Sequence, residues 1–145
     1  MKFDTQENTT LLIRQALVEL ESIGLQIPKE ILFKDISAAR THGWCRKTYP
    51  NRPSEKDFKY VIGISKFIKF DSDKKNTIMH ELLHALIMEN FKEAAPHGKE
   101  WKYYANVVNE KLGQNITRCC NLQLTIKPKP KRRRRKIKII FLRPF

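Results

Sequence analysis

Residues 78–87 set Ile78, Met79, Leu82, Leu83, Leu86 and Ile87 around His80, Glu81 and His84 in one short stretch. Apolar residues at these spacings wrap most of a helix circumference, so the stretch predicts a central helix buried on several sides. Histidines four apart lie on one helix face, one turn from each other, and both imidazoles can reach a single ion. His80-Glu81-Leu82-Leu83-His84 is the HExxH arrangement of zinc peptidases, in which the glutamate takes a proton from water held by the metal. The plain alternative is a structural helix that keeps two ordinary histidines.

Catalytic zinc takes three protein ligands and leaves a fourth position open. The compact HExxHxxGxxH pattern is closed to this chain, because Ile87 stands at its glycine and Asn90 at its last histidine. Glu93, His97 and Glu100 remain as third ligands. The turn-forming Ala94-Ala95-Pro96 can fold the chain back, and it favours His97.

The rest of the chain supplies an α+β setting. Thr9 or Thr10 can cap a helix bearing Leu12, Ile13, Ala16, Leu17 and Leu20, which ends near Gly24. Strand-like runs follow at 31–38 and 41–49, then a turn at Pro50-Asn51-Arg52-Pro53 and the β-branched strand 60–65. Asp71 to Asp73 offer caps to the histidine helix. Pro96 precedes a last helix to Leu112, with Trp101, Tyr104, Val107 and Val108 turned inward. The expected fold is helices packed on a small three-stranded antiparallel sheet, zincin-like, with strand 60–65 as the edge that pairs with an extended substrate. Leu122, Leu124 and Ile126, then Ile137, Ile139 and Phe141, suggest a C-terminal hairpin.

His42 reads as a structural or surface residue and Cys45 as a small core side chain. Trp101 reads as packing between the last two helices, and Tyr103 and Tyr104 read as packing in preference to stabilising an oxyanion. Cys45, Cys119 and Cys120 are too few and too oddly placed for a disulfide framework. Met1 to Glu7 lacks the layout of a signal peptide and no run approaches a bilayer span, so a cytoplasmic protein without membrane partners is expected.

Charge is segregated. Residues 1–110 hold 17 Lys/Arg against 15 Asp/Glu, whereas residues 111–145 hold 12 Lys/Arg and no acid. The excess is densest at Lys127, Lys129, Lys131, Arg132, Arg133, Arg134, Arg135, Lys136 and Lys138. Such a stripe is the footprint of a polyanion, and these nine residues are the candidate nucleic-acid contacts. The division expected is a domain over 1–126 and a basic extension over 127–145.

The string His97-Gly98-Lys99-Glu100-Trp101, followed by Asn109 and by Gly113-Gln114-Asn115-Ile116-Thr117, resembles the SprT-like (Spartan-type) metalloprotease family. Gly43-Trp44-Cys45 and the strand 60–65 fit the same pattern, and the resemblance spans roughly 9–125. It implies one catalytic Zn2+ on His80, His84 and His97, with Glu81 as general base. It also implies protein substrates crosslinked to or tightly bound on DNA, which favours DNA over RNA as the nucleic acid. Many members carry a four-cysteine zinc ribbon after the protease domain. Only Cys119 and Cys120 stand in that region here, and the basic segment is expected in its place.

Overall fold

The structure is a computed structural model and describes residues 1–118. The expected hairpin, Cys119 and Cys120, and the basic run 127–138 lie outside the described residues. The elements in chain order are β1 (Lys2–Asp4), α1 (Glu7–Ser22), β2 (Ile31–Ile36), β3 (Gly43–Lys47), β4 (Tyr60–Ser65), α2 (Asp71–Asn90) and α3 (Lys99–Leu112). A short 3-10 turn at Pro53–Glu55 interrupts the β3–β4 connection.

The α+β class stands, but the sheet differs from expectation. It has four strands in the order β1-β2-β4-β3, with β1–β2 and β2–β4 parallel and β3–β4 antiparallel. The sheet is therefore mixed. The extra strand, β1, is three residues long, too short for alternation to announce it, and it is held by pairing Phe3 with Phe33. Their rings stack at 5.3 Å. With α1 joining β1 to β2, the first quarter of the chain is a βαβ unit, whose strands are parallel. Strand β4 lies inside the sheet, and all six of its residues are buried. The edge is β3.

Side chains alternate across the sheet as a period of two requires. Ile31, Phe33, Tyr60, Ile62 and Ile64 join the main core with α1 and α2. Lys34 and Arg46 belong to the opposite face, where Glu55 meets both. Glu55 is fully buried. Arg46 grips it with two guanidinium nitrogens, and the Tyr49 N–H donates to it at 2.8 Å. These bonds hold the Glu55 carboxyl down at about 2 despite burial. The carboxylate thus latches the β3–β4 connection to the back of the sheet.

Helix α2 touches α1, α3, β3 and β4, which makes it the central helix that its apolar circumference predicts. Two helix starts differ from expectation. Helix α1 begins at Glu7, so Thr9 lies buried inside it, where its hydroxyl meets the Lys74 ammonium at 3.4 Å. Helix α2 is capped by Phe70 without a side-chain bond, and Asp71 and Asp73 occupy its first turn, where acids favour the helix dipole. Helix α3 starts after Gly98 and closes on Gly113 at a left-handed φ of 64°. No helix among the described residues is long and apolar enough to cross a membrane.

Candidate metal centre

His80 and His84 stand one turn apart on α2, and His97 comes from the turn before α3. The Nε2 atoms are 3.0 Å apart for His80–His97, 3.0 Å for His84–His97 and 3.2 Å for His80–His84. Three nitrogens at this spacing can all lie about 2.0–2.1 Å from one point, the distance zinc takes from imidazole. Burial, with the neighbouring rings, lowers His80 to about 4 and His84 to about 3. Burial also lowers His97, and the Arg118 charge adds to that. These shifts favour the neutral rings, whose lone pairs are available to a cation. Among the described residues these three form the one group of potential ligands, and it fits zinc. Glu93 and Glu100, the other candidates from spacing, are not in it.

His97 reaches the site through its backbone. The Gly98 N–H donates to the Ala95 carbonyl at 3.0 Å, closing a four-residue turn with Pro96 second and His97 third. His97 has a φ of 54°. Proline followed by a positive φ is the type II pattern, whose third position usually takes glycine. A histidine there carries backbone strain, on the order of 1 kcal/mol, and the turn reverses the chain towards α2.

Trp101, in the first turn of α3, forms a floor under the triad. Its ring centroid lies 4.7 Å from His80, 5.5 Å from His84 and 4.6 Å from His97. It is nearly fully buried, so the packing expected between the two helices is present and also fixes the rings. Tyr104 lies tilted against Phe91 with ring centroids 6.3 Å apart, as its packing reading anticipates, whereas Tyr103 is largely exposed and meets the Tyr104 ring edge-on at 5.3 Å.

Glu81 is buried beside the triad, with Oε1 4.0 Å from His80 Nε2. In the protein alone burial lifts its carboxyl to about 8. A dication between the histidines opposes that shift and favours the carboxylate. Strand β3 runs over Glu81, and Gly43 makes the approach possible. A Cβ at Gly43 would stand 2.8 Å from the Gly63 carbonyl, 3.1 Å from Thr77 and 3.2 Å from Glu81. The next residue, Trp44, lies over Gly63 on the other face. Cys45 faces the core, where burial and Glu81 raise its thiol well above the ordinary range. It is a free thiol packed on the core, as read from sequence.

The triad opens into a cleft of about 540 Å³. β3 contributes Gly43, Trp44 and Cys45 to its wall, and residues 94–97 contribute the turn. The strand expected at this rim, 60–65, is instead one place inside the sheet. The antiparallel neighbour β3 takes the edge because β2 claims the other side of β4. His42 is not a ligand but does line the cleft, as do Arg40 and Arg118.

A pair of asparagine clamps fixes the segment after α3. The Asn109 side chain bonds both main-chain groups of Ile116, at 2.9 and 2.7 Å. Asn76 does the same for Asn115, at 3.0 and 3.2 Å. Two asparagines on two helices thus hold the segment after α3, burying Ile116 and bringing the Thr117 main chain to His80. The only sequence signal was the pairing of Asn109 with 113–117, and it carried no geometry.

A mixed sheet under a central helix, with three imidazoles converging beside a buried glutamate, makes an α+β domain whose histidine cluster could hold a metal ion. The chain belongs to the SprT-like family, whose pattern it matches over residues 39–121. It matches no curated protein and no solved structure significantly.

Proposed function

We propose that this chain is a zinc-dependent endopeptidase of the SprT-like type, acting on proteins bound or crosslinked to DNA. The observation that carries the reading is the convergence of three imidazoles beside Glu81, on the floor of a cleft walled by an open strand edge. His80, His84 and His97 would hold a zinc ion, which would supply the Lewis acidity that acidifies water and polarises a peptide carbonyl. Glu81 accepts the proton from the attacking water and returns it to the leaving amine. The free edge of β3 offers main-chain groups to an extended substrate, which suits loose sequence preference.

A binding module built on a structural zinc needs a fourth protein ligand. Among the described residues the cluster has three members. The DNA half of the reading rests on the twelve basic residues and no acid of 111–145, together with the family resemblance.

The experiment is digestion of one protein substrate, DNA-bound and free, by the zinc-loaded chain with and without a chelator. Chelator-sensitive cleavage that is faster on the DNA-bound form is expected. Cleavage that ignores the chelator, or none on either form, contradicts the reading.

A further inference from the structure

We propose that Arg118 makes the cleft selective for substrates carrying an acidic side chain close to the scissile bond. The inference rests on the peptidase reading and names its substrate class. The cleft wall carries Arg40, His42 and Arg118, and its one acid is Glu81, buried beneath β3 and assigned to proton transfer. A carboxylate entering this cleft meets positive charge and, among the described residues, no competing acid at its surface.

Arg118 is the strongest anchor of the three. It is exposed, and among the described residues no acidic side chain forms an ion pair with it. It lines the same cleft as His80, His84 and His97. His42 differs, being half-buried with the Asp73 charge acting on it. The Arg118 backbone follows directly on the segment that Asn76 and Asn109 hold by four hydrogen bonds. The side chain is thereby presented from a fixed base, which lowers the entropy lost when it binds. A guanidinium takes a carboxylate through two parallel N–H···O bonds, a geometry that lysine cannot supply. Exposure to water limits the gain to about three- to tenfold in affinity.

The test uses the zinc-loaded full chain carrying Glu81→Gln, so that binding is read without cleavage. Two fluorescein-labelled octapeptides of alanine and glycine, one with a central Asp and one with a central Lys, are titrated by anisotropy. Tighter binding of the Asp peptide, by about three- to tenfold, is expected. Arg118→Gln should abolish the preference and Arg118→Glu should reverse it. Arg135→Glu, which makes the same charge change in the basic segment, should leave it intact. A preference that survives Arg118→Glu, that falls equally with Arg135→Glu, or that never appears overturns the proposal. Failure of the Glu81-intact chain to cut any peptide would overturn the peptidase reading alone, because the anisotropy preference does not depend on cleavage.

Discussion

His84 and His97 bring their Nε2 atoms to 3.0 Å, the first from the middle of α2 and the second from a turn where it holds a φ of 54°. The strain at His97 is tolerated because that conformation aims the ring at α2. Two substitutions separate the ligand role from the strain. His97→Ala and His97→Gly should each weaken zinc binding by more than about 100-fold, beyond what loss of a supporting residue costs. In the metal-free chain the glycine variant should be the more stable of the two by about 1 kcal/mol, because glycine adopts positive φ freely. Chelator competition and urea midpoints read the two effects. Equal stabilities would remove the strain argument, and retained zinc affinity would remove His97 from the site.

Gly43 is the contact on which the roof over Glu81 depends. Gly43→Ala places a methyl 2.8 Å from the Gly63 carbonyl, inside any normal contact, so β3 must move off β4 or off α2. A stability loss of about 1–3 kcal/mol is expected, with reduced cleavage at unchanged zinc content. Wild-type activity and melting temperature in this variant would show that β3 does not depend on the close approach.

The parts of this architecture legible in the sequence are those set by local pattern. The circumference of α2, the β-branched run of β4 and the Gly113 stop of α3 depend on neighbours a few residues away. Sheet order does not. Tyr60–Ser65 reads as a strand but carries nothing that says which strands flank it, and its unbroken apolar run fits the inside of the sheet, not the edge assigned to it. The triad was legible because HExxH spacing is fixed by helix geometry and because Pro96 marks the turn before His97. The Asn76 and Asn109 clamp and the place of Arg118 arise only when separate helices meet, and no sequence period encodes that.

Acid stability offers an independent check on the back of the sheet. Arg46 holds the Glu55 carboxyl at about 2, below its ordinary value of 4.5. A depressed folded-state value means that the unfolded chain binds more protons between these limits. The latch therefore contributes fully above about pH 5, and its contribution is lost as pH falls towards 2. Glu55→Gln should lower the melting temperature at pH 7 and make its decline between pH 5 and 2 shallower than in wild type. Parallel declines in the two proteins would show that Glu55 is not the group that titrates.

The central claim is that Glu81 moves the proton while the three histidines hold the metal. The most direct measurement is the rate of protein cleavage by Glu81→Gln with zinc content determined on the same sample. The account predicts one bound zinc and a rate reduced by at least about 100-fold, the lower bound for loss of a general base. Wild-type cleavage by a zinc-loaded Glu81→Gln protein would contradict it.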